Sequence, residues 1–200
     1  MNRYIIIGAG IAGLEAAKAI READRDGSVD MFTAENNLPY SRPMLTKAPF
    51  ISFDPSDWTI YDDSWYKENR IDLHIGSKIR AIDSGAKQVS DGERSYPYDK
   101  LILAFGAESF VPPIAGSDGP GVFTIRRSED ISRIKKACKA GVKAVIIGGG
   151  VIGLEAATEL SRYGAGVTVL EAMPYLMMRQ IDEELSQIIC KKLSDIDIYT

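Results

Sequence analysis

Apolar residues in this chain come in short runs, and what interrupts each run points to the fold. "YIII" at Tyr4–Ile7 is apolar throughout and stops at a glycine, and so does "AVII" at Ala144–Ile147. Runs without polar alternation read as strands of a parallel sheet covered on both faces. After the first run and its glycines, Leu14, Ala16, Ala17 and Ile20 supply the apolar positions of a helix to about Asp24. Asp26-Gly27 marks a turn, and "SVDMFTAE" reads as the next strand. Strand, helix, strand is a βαβ opening whose crossover is expected to be right-handed.

The pattern then lapses. Residues 36–55 carry Pro39, Pro43, Pro49 and Pro55 with little periodicity and read as a long loop. Such a loop inside a compact domain is expected only where it has a task. "DWTIYDDSWYKENRI" predicts a short helix rich in aromatics, and "IDLHIG" predicts a strand. The stretch from Ser77 to Gly106 alternates, with turn signals at Ser84-Gly85 and Asp91-Gly92. It predicts a small β-meander feeding an apolar strand at Leu101–Ala104. "VPPIAGSDGPG" is the best linker by Pro and Gly density. Beyond it the pattern predicts a helix over Ile131–Ala140, a strand at "VKAVII", a helix after the second glycine run and a strand at "AGVTVLE". An amphipathic helix at "IDEELSQIICKKLS" and a strand at "IDIYT" follow.

The two glycine runs are copies of one device. "GAGIAGLEAAKAI" from Gly8 and "GGGVIGLEAATEL" from Gly148 agree at seven of thirteen positions. Between a strand and a helix, Gly8 and Gly148 allow the tight turn, and Gly10 and Gly150 let a diphosphate approach the backbone. Gly13 and Gly153 let helix and strand pack closely, and the helix N-terminus offers unpaired N–H groups. Each copy also has an acid near the end of the following strand. Glu35 lies 22 residues beyond Gly13, and Glu171 lies 18 beyond Gly153. A carboxylate there can accept the ribose hydroxyls of an adenosine. The plain alternative is a pair of tight turns with solvated acids. The chain therefore predicts as α/β, with two Rossmann-like dinucleotide-binding units at 1–111 and 112–200, both incomplete because the chain ends early. Glu171 favours NADH over NADPH, since a carboxylate repels a 2′-phosphate; Arg179, eight residues on, is the residue that could intrude.

Composition mostly excludes. The 200 residues are 45% apolar and 26% charged with net charge −4, and Lys and Arg are scattered, so no basic stripe points to nucleic acid. No apolar run is long enough to span a membrane or serve as a signal peptide. Cys138 and Cys190 form no CxxC and are too few for a disulfide framework, which points to a cytoplasmic protein. Both cysteines fall on predicted helices and read as packing or surface thiols. His74 is the only histidine and reads as structural; no cluster has metal-ligand spacing, so no metal is expected. Trp58, Tyr61, Trp65 and Tyr66 fit a core-facing helix at least as well as a stacking platform.

The order of glycine loop, "LPYSRPMLTK", "LILAFGAESFVPPIAG", second glycine loop and "LMMRQID" resembles the two-dinucleotide flavoprotein reductases. Within them it is most like NADH–rubredoxin reductases and the flavin module of NADH-dependent nitrite reductases. The resemblance implies that the first loop binds FAD and the second NAD(H), with the nicotinamide stacked on the flavin. It implies that Gly8, Gly10, Ile11, Ala12, Gly13 and Glu35 hold the ADP part of FAD, with Arg42 and Lys47 reaching the flavin side. Ala104 and Gly106 would also bind cofactor, where the backbone crosses to the NAD unit, and Gly148, Gly150, Val151, Ile152, Gly153 and Glu171 would line the NAD(H) site. Lys47 and Glu155 resemble a Lys–Glu pair beside the reactive part of the flavin. A cation there stabilises the anionic reduced ring and a carboxylate holds the cation. Their alternatives are a solvated loop lysine and an acid favoured by the helix dipole, and Glu15 occupies the same place in the first copy.

Three departures qualify the resemblance. Phe105 stands where the family often has Thr, so a hydroxyl is gone from Ala104-Phe105-Gly106. No cysteine follows Glu35, which disfavours thiol chemistry. Family members run on for about the same length again, so a C-terminal segment that completes the FAD site is expected elsewhere, and these residues alone are expected to bind FAD weakly or not at all. The implied activity is NADH oxidation through FAD to a small iron protein such as rubredoxin. The alternatives are an NADH oxidase, a nitrite-reductase flavin module, a non-catalytic dinucleotide sensor, and an inert half-protein.

Overall fold

A computed structural model describes the chain from Met1 to Thr200, and its residues cluster into two compact units. The first comprises Met1–Arg42 and Asp54–Glu108; the second comprises Pro43–Phe53 and Ser109–Thr200. A single cut of the chain at 111 does not describe the Pro43–Phe53 piece, which packs with the second unit.

In the first unit, β1 (Arg3–Ile7), β2 (Ser28–Phe32), β3 (Ile71–His74) and β7 (Lys100–Leu103) form a sheet in the order β3-β2-β1-β7. All three pairings are parallel, with Ile7 opposite both Phe32 and Leu103, so β1, β2 and β7 end level. Helix α1 (Ile11–Ala23) covers one face, where Leu14, Ala17 and Ile20 pack with Ile6, Val29 and Met31. On the other face, Ile5, Ile7 and Phe32 pack with Val89 and Tyr98 of the meander region. The meander itself is antiparallel, β4 (Ala81–Asp83), β5 (Gln88–Ser90) and β6 (Ser95–Pro97). Burial on both faces explains why β1 has no polar alternation.

Arg21, in the last turn of α1, ties this unit together without any carboxylate. Its guanidinium donates to the carbonyls of Asn69, Gly27 and Arg70 at 2.5–2.6 Å, and to that of Asp24 at 3.2 Å. Burial is the main cause that lowers its pKa from the ordinary guanidinium value. His74 bonds Asp30 at 2.8 Å through Nε2 and stacks on Phe32 at 4.3 Å, inside the meander-side packing. Two sequence readings need correction here. Trp58 lies in a 3-10 turn (Pro55–Trp58) and Tyr61 precedes α3 (Asp63–Glu68), so the four aromatics do not share one helix. Asp62 caps that helix by accepting from the Trp65 N–H at 3.1 Å, which starts it later than the aromatic pattern suggests.

In the second unit, β8 (Lys143–Ile147), β9 (Gly166–Leu170) and β10 (Ile198–Tyr199) pair in parallel in the order β10-β9-β8. Helix α5 (Val151–Arg162) packs on β8 and β9, burying Leu154, Ala156, Ala157 and Leu160 with Val167 and Val169. Helix α4 (Ser128–Ala137) buries Ile131 and Ile134, and Asp130 anchors its start by accepting from the N–H groups of Arg126 and Arg127. Helix α6 (Glu183–Ser194) starts at the Asp182 cap, which accepts from Leu185 N–H at 2.9 Å. Cys190 lies on α6. Cys138 stands just past α4 at its C-terminal cap rather than within it, and burial raises its thiol pKa, which suits packing rather than reactivity. The expected loop over 36–55 contains one helical turn, α2 (Met44–Lys47), packed on α5. No helix in the chain is long and apolar enough to cross a membrane.

Candidate functional site

Each glycine loop has the geometry that its spacing implies. Gly8 and Gly148 sit at φ +105° and +109°, where only glycine is comfortable. A Cβ on Gly13 would lie 2.0 Å from the Gly8 carbonyl oxygen, and one on Gly153 would lie 2.1 Å from that of Gly148. A Cβ on Gly10 or Gly150 would meet nothing within 4 Å. So the third glycines are required by packing, whereas the middle ones open onto free space. The copies differ at one point. A Cβ on Gly8 would strike Ala104 and Phe105, because β7 lies beside β1; Gly148 has no such neighbour, since β8 is an edge strand.

Gly10 and Gly150 are the N-caps of α1 and α5, and neither helix has a side-chain cap or an acid in its first turn. The leading N–H groups are therefore left for another acceptor, and a helix dipole favours an anion there. Ile11, Val151 and Ile152 expose 62%, 44% and 59% of their surface beside these openings. Ala12 is also exposed. Open backbone, uncapped helix starts and bare apolar side chains together fit a diphosphate with its attached groups.

The two acids are held differently. Glu35 lies three residues beyond the end of β2, bound by side chains: Tyr40 Oη donates to Oε2 at 2.7 Å and Arg42 Nη2 to Oε1 at 2.6 Å. Glu171, just past β9, is bound by backbone: Met173 N–H donates to Oε1 at 2.8 Å and Gly149 N–H to Oε2 at 2.7 Å. These two N–H bonds, that of Met173 first, lower the Glu171 pKa. The loop that follows is fastened as well, since Met177 N–H donates to the Gly149 carbonyl at 3.0 Å and Leu176 is buried over Gly149. A carboxylate offers about four acceptor positions, so both acids keep room for ribose hydroxyls.

Two expected placements change. Arg42, expected toward the flavin side, bonds Glu35. Lys47 and Glu155 do not form an ion pair. Lys47 is exposed on α2, and the Glu155 carboxylate is taken instead by Thr46, whose Oγ1 donates to Oε2 at 2.5 Å. The helical turn explains this, because it turns Thr46 onto α5 (Thr46 is 7% exposed) and leaves its neighbour pointing away. A second bond fastens the same piece, from Ile51 N–H to Tyr163 Oη at 2.6 Å. Ala104 N–H bonds the Ile7 carbonyl at 2.7 Å, and Gly106 sits at φ +71°.

The model of a single family, described as "Pyridine nucleotide-disulphide oxidoreductase", matches residues 2–200. The chain belongs to this family. The nitrite reductase [NAD(P)H] of Bacillus subtilis is 37% identical over 194 residues, which is 96% of this chain and 24% of that protein. A rubredoxin-NAD(+) reductase of Pseudomonas putida is 36% identical, covering 94% of this chain and 50% of its own length. Among solved structures, NADH:rubredoxin oxidoreductase from Clostridium acetobutylicum is 31% identical with a TM-score of 0.83, covering 100% of this chain and 52% of that one. A ferredoxin reductase from Rhodopseudomonas palustris gives a TM-score of 0.90 at 28% identity, covering 100% and 50%. The chain spans at most about half the length of these relatives.

The pyridine nucleotide-disulphide oxidoreductase frame covers both glycine loops and both acids. Sequence reasoning missed Tyr40, Thr46 and the backbone grip on Glu171. Tyr40 and Thr46 stand in the quoted "LPYSRPMLTK", but nothing in their spacing tells which carboxylate each will reach. The Gly149 and Met173 N–H groups carry no sequence signal.

Proposed function

We propose that this chain carries the two dinucleotide sites of an FAD-dependent NADH oxidoreductase that delivers electrons to a small iron protein such as rubredoxin. The observation that carries the reading is the paired, uncapped helix starts behind Gly10 and Gly150, each with its own restrained acid. Residues 1–111 would form the amino-terminal part of the FAD domain and 112–200 that of the NAD(H) domain, with Pro43–Phe53 lending Thr46 to the second. Bound flavin would supply a group that takes up a hydride equivalent and releases electrons singly.

The protein's own work is binding and orientation. The α1 N-terminus and Gly8–Gly13 would take the FAD diphosphate, and Glu35, braced by Tyr40 and Arg42, its adenosine ribose. The α5 N-terminus and Gly148–Gly153 would take the NADH diphosphate, and Glu171 its ribose. Because Glu171 is fixed as an anion by two N–H groups, it would repel a 2′-phosphate, which supports NADH over NADPH. Thr46 would orient the Glu155 carboxylate. The acceptor rests on likeness to rubredoxin and ferredoxin reductases. An NADH oxidase of Methanocaldococcus jannaschii is also 37% identical over 96% of the chain, so dioxygen is the rival acceptor.

Steady-state turnover of the full-length protein tests this reading. Rapid NADH oxidation with rubredoxin or an artificial one-electron acceptor, slow oxidation with NADPH, and little oxygen consumption are expected. Binding of NADH without turnover would refute it.

A further inference from the structure

We infer that Leu176 and Met177 are positioning residues for the second dinucleotide: they clasp Gly149 and hold the Glu171 carboxylate in place before a ribose arrives. The inference rests on the proposed assignment of NADH to the Gly148 loop. Gly149 is one of the places where the two glycine loops differ, because Ala9 stands there in the first copy. The backbone does not demand a glycine at this point, since Gly149 lies outside the left-handed region that Gly148 occupies. Space demands it. A Cβ on Gly149 would lie 2.3 Å from Leu176 Cδ2 and 3.3 Å from both Cβ and Oε2 of Glu171. Leu176 is 4% exposed, so its side chain is packed down on the loop with little room to retreat.

Hydrogen bonds close a ring around this contact. Gly149 N–H donates to Glu171 Oε2 at 2.7 Å, Met173 N–H donates to Oε1 at 2.8 Å, and Met177 N–H donates back to the Gly149 carbonyl at 3.0 Å. Met177 closes the ring at φ +55°, a backbone region that residues with side chains seldom enter. Its turn is held from the other side too, because the Met177 carbonyl accepts from the N–H groups of Gln180 and Ile181 at 2.8 and 3.1 Å. A left-handed residue that persists because its surroundings over-determine it points to a task at the adjoining site. Here the task is preorganisation. A glutamate free to rotate loses that freedom when a ribose binds, whereas one already gripped at both oxygens loses little. Each oxygen still has an acceptor position left for a ribose hydroxyl. The clasp therefore acts on the affinity for NADH and not on the step at the flavin.

The test uses the full-length flavoprotein with NADH as the probe. Gly149→Ala is expected to push Leu176 and the carboxylate aside and to raise the KM for NADH about tenfold, as loss of one bond to a charged acceptor would. Its kcat and FAD content should stay within about twofold of wild type, because the interaction lost serves ground state and transition state alike. Leu176→Ala should also raise KM, and adding Gly149→Ala to it should change KM by less than about twofold, since the methyl then has no leucine to displace. Met177→Val, whose branched side chain resists the left-handed region, should raise KM, and Met177→Gly should rescue it. Without NADH, the amides of Gly149 and Met177 should exchange with deuterium slowly in the wild-type protein and at least about tenfold faster in Leu176→Ala. Effects of Gly149→Ala and Leu176→Ala that multiply would mean that the methyl meets the dinucleotide directly, and would overturn the inference. So would a KM for Gly149→Ala within about twofold of wild type. A wild-type protein that binds no NADH refutes instead the assignment on which the inference rests.

Discussion

Substituting the second and third glycines of one loop separates a ligand role from a packing role. In Gly153→Ala the new methyl would lie 2.1 Å from the Gly148 carbonyl oxygen and 3.2 Å from Ile146 Cγ2. The first contact is with backbone, so helix α5 must move off β8. Overpacking of this kind costs about 1–3 kcal/mol. For a chain of this size, 2 kcal/mol lowers the thermal midpoint by roughly 4–8 °C. In Gly150→Ala the methyl meets nothing within 4 Å and the cap backbone is at φ −83°, which alanine adopts freely. That change should cost under about 1 kcal/mol. It should nevertheless weaken NADH binding at least about tenfold, because the methyl would occupy the diphosphate's approach. Thermal melts of the ligand-free proteins and NADH titrations of the full-length proteins read the two effects. Equal destabilisation by the two variants, or undiminished NADH binding by Gly150→Ala, would refute the reasoning.

Further outcomes follow from the same contacts. Arg21→Ala should destabilise the first unit by about 2–3 kcal/mol in urea unfolding, because four carbonyls lose a charged donor; a loss under 0.5 kcal/mol, taken as roughly the noise of a surface change, would contradict it. Thr46→Val should shift the pH profile of NADH turnover while Thr46→Ser restores it, and a cost of about 1 kcal/mol for the lost hydrogen bond should appear only in the valine variant. Asp24 is held at about 2 by the Gly27 N–H, Asn2 and Tyr4, so its folded pKa lies below its ordinary 3.8. Its contribution is therefore full above about pH 4 and is lost as the pH falls toward 2. Asp24→Asn should flatten stability across that window, and an unchanged acid limb would contradict the assignment.

The elements were legible where local pattern and tertiary packing agree. Ile5, Ile6 and Ile7 pack against opposite faces of one sheet, so an unbroken apolar run predicts a doubly covered strand correctly. The glycine spacing was equally readable, since Gly13 and Gly153 are compelled by the close carbonyls of their own loops. What the sequence concealed depends on contacts between segments far apart in the chain. Pro43–Phe53 falls in chain order among first-unit residues but packs with the second unit, held by Thr46 to Glu155 and Ile51 to Tyr163. Its prolines announce an irregular segment and say nothing of where it docks. Likewise "SRP" in the loop gives no sign that Arg42 turns back to Glu35, seven residues earlier. The aromatic cluster misled because helical spacing alone was followed across Asp62, whose capping bond begins the helix after Tyr61.

One measurement reaches the central claim, that each helix start holds its own dinucleotide, more directly than any substitution. The visible spectrum of the purified full-length protein is recorded before and after anaerobic addition of NADH. A yellow protein whose flavin band bleaches with about one equivalent of NADH, and far less readily with NADPH, is the expected result. A colourless protein that FAD cannot reconstitute, or a yellow one that NADH leaves unbleached, would contradict the account.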